Sequence, residues 1–294
     1  MTPREPHVAG AFYPGSAGKC RDLIERCMEG LEAGEASAAR VVAGIVPHAG
    51  WIFSGPTAAR TFDAVRRGGG VDTFLLLGAV HVWGVEAPSL YASGAWRTPL
   101  GDVSIDEELA EALLQRLAGE LVEAPEAHQM EHSLEVQVPF VQHLFPEARI
   151  VPLMIPPEAT AGKLGRKLAR AVREVGGGKR IVALGSTDLT HYGPNYRFMP
   201  EGLGARALEW AKSTNDKRIL ELALEMKEDA IVAEAVGHMN ACGPGAMAAA
   251  CGFAHELGAH AGRLLGHTTS FDVMPERQPS SFVGYASIAY DVAG

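Results

Sequence analysis

The chain has 294 residues, 47% hydrophobic and 21% charged, enough for a large packed core and incompatible with disorder, collagen or coiled coil. Its net charge is −9 with no run of five or more Lys/Arg, so the cationic footprint that a phosphate backbone requires is missing and nucleic acid is not an expected partner. Four cysteines without a C-x-x-C pair, no signal-peptide pattern and no uninterrupted apolar stretch of membrane-spanning length point to a reducing, cytoplasmic location with no membrane partner.

In chain order, Cys20, Leu23, Ile24, Cys27 and Leu31 recur at helical spacing behind Ser16, which predicts a first helix with a serine N-cap. Residues 32–40, rich in Ala, Gly, Glu and Ser, read as a surface loop. Residues 41–46, 74–77, 150–155 and 181–184 are short continuous apolar runs, the pattern of strands buried on both faces of a parallel sheet. Between them, Ser104-Ile-Asp-Glu107 reads as a capping box ahead of Leu109, Leu113 and Leu117, and Leu164, Leu168 and Val172 share a helical face. Gly68-Gly-Gly70 and Gly176-Gly-Gly178 precede strands, so they end helices and do not cradle phosphate. Neither G-x-G-x-x-G nor a Walker A pattern occurs, and no nucleotide cofactor is indicated. Helices at 219–224 and 230–236 and a last strand at 281–290 complete the reading. Strand and helix alternate without repeat or linker, which predicts a single α/β domain over residues 1–294, a central, mostly parallel sheet flanked by helices.

Ligands of parallel α/β sheets bind outside the carboxyl ends of the strands, and that is where the polar residues fall. His48 follows the first apolar run, His81 the second, and Asp188 and His191 the fourth. Each histidine alone reads as an ordinary core or surface residue; the same placement on three strands points to a site. Cys242, in Asn240-Ala-Cys242-Gly-Pro244, sits at a predicted helix start whose dipole favours the thiolate, the metal-binding form. Cys20, Cys27 and Cys251 read as small buried hydrophobes. His128-Gln-Met-Glu131-His132 matches the H-x-x-E-H pattern of one class of zinc peptidases, with two histidines on one helix face and the Glu as general base. The other readings are that Glu131-His132-Ser133-Leu-Glu135 lines the pocket of the strand-end histidines, or that the segment is a solvated amphipathic helix. Trp51, Phe53, Trp83 and Trp96 are candidates for an aromatic-binding pocket or for packing alone.

Taken together, Val8-Ala-Gly-x-Phe12-Tyr-Pro14, Pro47-His48-Ala-Gly50 with Ser54-Gly55, His81, Trp96-x-Thr98-Pro-Leu-Gly101, Glu131-His132-Ser-Leu-Glu135 with Pro139-Phe140, Asp188-Leu-Thr-His191-Tyr and Cys242-Gly243 resemble the Memo family over nearly the whole chain. That family resembles class III extradiol dioxygenases, non-haem iron enzymes that open catechol rings. Its bacterial and archaeal members are named AmmeMemoRadiSam system protein B, which makes a radical SAM protein an implied partner. The resemblance implies a class III extradiol dioxygenase-like fold with a metal on His48, His81 and Cys242, His191 as acid/base with Asp188 orienting it, and a substrate pocket including His132, Glu131 and Trp51. Iron(II) is the implied cofactor, and a thiolate ligand brings in copper or zinc. The function that follows is an iron(II)-dependent oxygenase (oxidoreductase) of a small aromatic substrate. The alternative is a non-catalytic metal- or peptide-binding, redox-linked protein using the same pocket; a zinc peptidase acting through His128, Glu131 and His132 is third.

Overall fold

The computed structural model describes residues 2–31 and 40–293, so the loop expected at 32–40 lies, apart from Arg40, outside the described residues. Helix α1 (Ala17–Met28) buries Cys20, Ile24 and Cys27, as their spacing predicts; Ser16 stands at its N-cap without a side-chain cap bond. Strand β1 (Arg40–Val46), helix α2 (Trp51–Arg67) and strand β2 (Thr73–Gly78) follow, with Gly68 closing α2. Next come β3 (Ser89–Leu90), the hairpin of β4 (Ala95–Thr98) and β5 (Gly101–Ser104), α3 (Glu107–Arg116) and β6 (Val122–Glu123). The capping box expected at Ser104 does not form. Ser104 is drawn into the hairpin opposite Ala95, and the cap of α3 is Asp106, whose carboxylate accepts the Leu109 N–H.

A 3-10 turn over Pro125–His128, α4 (His132–Glu135) and α5 (Val138–Leu144) lead into β7 (Arg149–Met154), α6 (Ala161–Val175) and β8 (Ile181–Ser186). Then follow β9 (His191–Tyr192), α7 (Ala205–Trp210), a π-helical segment over Ala211–Asp216, α8 (Lys217–Leu224), α9 (Glu228–His238) and α10 (Pro244–Glu256). Strand β10 (Gly262–Thr269), α11 (Ser270–Val273) and β11 (Phe282–Val292) end the described chain.

The main sheet runs β10-β11-β1-β8-β2-β7-β3-β6, with β9 joined to β11. The four apolar runs form its centre, β1-β8-β2-β7, and every pairing among them is parallel. Val46 lies opposite Ser186 and Leu77 opposite Gly185, so the carboxyl ends of β1, β8 and β2 stand side by side. That register brings the segments after Val46, Gly78 and Ser186 to one place. Strands β11 and β10 extend the sheet antiparallel on one side. β10 has no apolar run, because only Thr269 in it is buried, and this left it unread in the sequence.

Glycines set how closely the helices approach. A Cβ on Gly44 would meet Thr61 of α2, whereas one on Gly185, opposite Ile45, would meet Ala246 and Ala250 of α10. Neighbouring positions of a strand face opposite sides, so α2 and α10 cover opposite faces. Helix α10 is buried from Pro244 to Ala254, apolar all round as a central helix must be. A Cβ on Gly165 of α6 would stand 2.0 Å from the Ala249 carbonyl oxygen, so α6 and α10 pack backbone to backbone.

Candidate metal centre

His48 follows β1, and its position is fixed at two points. Its backbone N–H donates to Asp188 Oδ1 at 2.7 Å, and its Nδ1 lies 3.0 Å from Ser186 Oγ. The Ser186 hydroxyl donates its one proton to the Ser133 carbonyl at 2.8 Å and accepts from Gln137 Nε2 at 3.1 Å. It can therefore only accept from His48, which assigns the proton to Nδ1 and leaves Nε2 a bare lone pair.

His81, after β2, is governed by Glu131 in the same way. The fully buried Glu131 carboxylate accepts the His81 backbone N–H at 2.6 Å, His81 Nδ1–H at 3.0 Å and the Ser133 N–H at 2.8 Å. The His81 Nε2 is again the free nitrogen. Burial pushes the Glu131 carboxyl up, but the bonds from His81 and Ser133 outweigh it and hold it down to about 2.

His132 opens α4, its ring stacked on His81 with centroids 4.6 Å apart and edge-on to Phe12 at 4.9 Å. One ring nitrogen each of His48, His81 and His132 lies within 4.8 Å of the others. Burial and the neighbouring imidazoles push His48 well below the usual imidazole range, and burial with His81 brings His132 to about 4. Three imidazoles with ring nitrogens this close form a cluster that can bind a metal ion.

Cys242 lies against His48, its Sγ 3.1 Å from His48 Nε2. The Asp188 N–H donates to Sγ at 3.3 Å, and Thr187 Oγ1 accepts the Gly243 N–H at 2.9 Å, which ties the cysteine loop to the end of β8. Gly243 caps α10, so the thiol does stand before a helix start. It is not thereby made a thiolate in the metal-free protein: burial, and then the Asp188 charge, raise its pKa above the ordinary thiol value.

A family model described as Memo-like protein matches residues 4–289. The chain belongs to the Memo family. It is 38% identical to a MEMO1 family protein of Thermococcus onnurineus over 98% of this chain and 99% of that one, and 37% identical to one of Methanothermobacter thermautotrophicus over 97% and 99%. A solved structure of an uncharacterized protein from Escherichia coli K12 superposes with a TM-score of 0.51 over 85% of this chain and 100% of that one, at 16% identity, a likeness of fold alone. No helix among the described residues is long and apolar enough to cross a membrane.

In this Memo-family chain the three imidazoles open into a cavity of about 910 Å³ whose wall carries the rings of Phe12, Phe53, Tyr196, Phe271, Phe282 and Tyr285. Of the aromatics singled out in the sequence, Phe53 lines it. Trp51 does not: it is buried behind the site, packed on Tyr13 and Phe140 with Nε1 donating to Val136 O. Trp96 is buried beneath the Arg4 guanidinium, and Trp83 is fully exposed. Glu131 does not line the cavity either; it lies beneath His81 as the acceptor that orients it.

Asp188 does not orient His191. His191 Nδ1 lies 3.0 Å from the Leu189 carbonyl, which fixes its proton there, while the Asp188 carboxylate holds the His48 backbone. Burial raises the Asp188 carboxyl above its usual range, against the attraction of His191.

The H-x-x-E-H helix does not form. The 3-10 turn ends at His128, Glu131 is extended, and α4 starts only at His132, so the two histidines share no helix face. His128 is fully buried, its Nε2 donating to Ser89 O.

Sequence reasoning assigned no role to Ser186 or Arg4, and it read Glu135 as lining the pocket of the strand-end histidines, where the structure does not place it. Glu135 gathers the N-terminal segment, accepting from Arg4 Nη1, the His7 and Val8 N–H groups and Tyr13 OH at 2.8–2.9 Å. Arg4 also donates to the carbonyls of His128 and Glu131. Only the proximity of Glu135 to His132 in one motif hinted at this.

Proposed function

We propose that this protein is a metal-dependent enzyme using oxygen on a small aromatic substrate, with iron(II) held by His48 and His81 and a third ligand from Cys242 or His132. The observation that carries the reading is the cluster of His48, His81 and His132 ring nitrogens within 4.8 Å of one another beside an aromatic-walled cavity, with Nδ1 of His48 engaged by Ser186 and Nδ1 of His81 by Glu131. Membership of the Memo family supports Cys242 as the third ligand, where the extradiol dioxygenases have a carboxylate; the ring-nitrogen geometry supports His132. Iron(II) on such a face of ligands supplies Lewis acidity and a site for oxygen chemistry. The chain's own residues supply the rest. The aromatic wall excludes water and stacks on a planar substrate, and His191, protonated at Nδ1, offers Nε2 as a proton acceptor at the cavity edge.

Anaerobic titration with iron(II), copper and zinc tests the ligand set, and oxygen uptake with a panel of catechols tests the chemistry. His48→Ala and His81→Ala are expected to lower affinity by more than about 100-fold, the upper range for lost supporting bonds. Comparing His132→Ala with Cys242→Ser identifies the third ligand, and His191→Ala retains metal while uptake falls on the order of 10²–10⁴-fold. Metal affinity surviving both His48→Ala and His81→Ala overturns the site, and an iron-loaded protein that takes up no oxygen with any catechol overturns the activity. A non-catalytic metal- or peptide-binding protein is the second reading, favoured by the Cys242 thiol already meeting the His48 lone pair.

A further inference from the structure

The site residues open onto two different cavities. His48, His81 and His132 face the large one, whereas Cys242 faces a separate cavity of about 400 Å³. Between them stands a thin partition, His191 with the Tyr196 ring edge-on at 4.9 Å, and these two residues line both. Apart from His191 and the Tyr196 phenol, the only ionisable group among the described residues that line the second cavity is the Cys242 thiol; the rest of its wall includes Pro157, Leu189, Ala235 and Pro244. At its mouth stand Val236 and Met239, 67% and 53% exposed. Both are large apolar side chains turned to water, and Met239 holds its place with φ of 51°, the left-handed region that a β-carbon disfavours.

A concave, apolar wall with a few convergent polar groups at its floor is the form of a small-molecule site. The volume admits a group of several carbons, and the lack of a charged wall residue selects against ions. We infer that this cavity is a subsite for an uncharged alkyl or aryl group that lies against the Cys242 sulfur, entering from the side opposite the imidazole cavity. A ligand of the metal centre that reaches past His191 would place an apolar arm there. The subsite rests on the proposed function only in sharing His191 and Cys242 with that centre, and the experiment below uses no metal, so the two fail separately.

The probe is a series of N-alkylmaleimides, methyl, butyl and hexyl, reacted with the metal-free protein and followed by mass spectrometry at Cys242. Each rate is divided by the rate of the same reagent with glutathione, which removes the reagent's intrinsic reactivity, and the ionisation of Cys242 is common to the whole series and cancels in the comparison. The other three cysteines are buried and serve as internal controls. Each methylene taken into an apolar pocket is worth about fourfold, so the normalised rate at Cys242 is expected to rise more than tenfold from methyl to hexyl. In the double variant Val236→Glu, Met239→Asn the rise is expected to vanish; both positions are exposed and Asn tolerates the left-handed backbone, so the fold is kept. A normalised rate independent of chain length overturns the subsite. So does a rise that persists in the double variant, or a Cys242 that no reagent reaches in the folded protein.

Discussion

At the scale of single residues, a carboxylate decides what a histidine presents to the cavity. Glu131 takes three N–H groups, two of them from His81, and an amide in its place would turn one acceptor oxygen into a donor facing a donor. Glu131→Gln is therefore expected to weaken metal binding by about 10–100-fold with no loss of a ligand atom, read by the same titration; unchanged affinity would show that Glu131 does not set the His81 ring. Protons report on the other buried imidazoles. His128, desolvated by burial, and His132, by burial and His81, both sit near 4 in the folded chain against about 6.5 when unfolded. Between those values the unfolded chain binds more protons, so stability is full above about pH 6.5 and is lost as pH falls toward 4. The share of His128 is up to about 3 kcal/mol. Denaturant unfolding at pH 7.5 and 4.5 measures the loss, and His128→Phe is expected to reduce it; equal stability at the two values would count against a neutral buried His128. His48, His81 and His191 were legible because each follows a strand. The tautomers were not, since they depend on Ser186 and Glu131, which reach the histidines from distant parts of the chain.

At the scale of elements, the closest helix pair sets the strictest size limit. Ala at Gly165 gains about 1 kcal/mol of helix propensity, but its Cβ would fall 2.0 Å from a backbone oxygen of α10 that cannot swing aside. The helices must part, at a cost of about 3 kcal/mol for overpacking, leaving Gly165→Ala less stable by about 2 kcal/mol. Gly18→Ala in α1, where nothing lies within 4 Å, keeps the propensity gain without the clash. Equal denaturation midpoints for the two variants would refute the backbone-contact account. The periodicity of Leu164, Leu168 and Val172 disclosed α6 and its buried face. It could not disclose Gly165 as a contact, because a glycine reads as a helix weakener until its neighbour is known. The same limit left a helix among the readings of residues 128–132, where the spacing of two histidines suited one; Arg4 bonds to the carbonyls of His128 and Glu131, which lie in two separate turns.

At the scale of the whole molecule, the α/β alternation and the four central strands were written as apolar runs, and these alone place the strand-end histidines together. The antiparallel half of the sheet was half legible: β11 has its run, while β10 is polar and half exposed and is held by β11. Strand β11 is hydrogen-bonded to β10 on one side and β1 on the other, and it also carries β9 with His191. A chain ended at residue 281 is expected to lose cooperative unfolding in circular dichroism and to be cut rapidly by protease. A native-like melt for that truncation would show that the sheet closes without its inner strand.

The position of β11 also bears on how the protein is made. At about 5–20 residues per second, a ribosome needs roughly 10–50 s to pass from residue 46 to residue 282. Throughout that interval one edge of β1 has no partner, since its neighbour on that side has not been synthesised. An apolar strand with an open edge is a template for pairing with other chains. The yield of this protein in a cell is thus expected to fall when that edge is poorly shielded during translation, and slower elongation is expected to send more of it into aggregates.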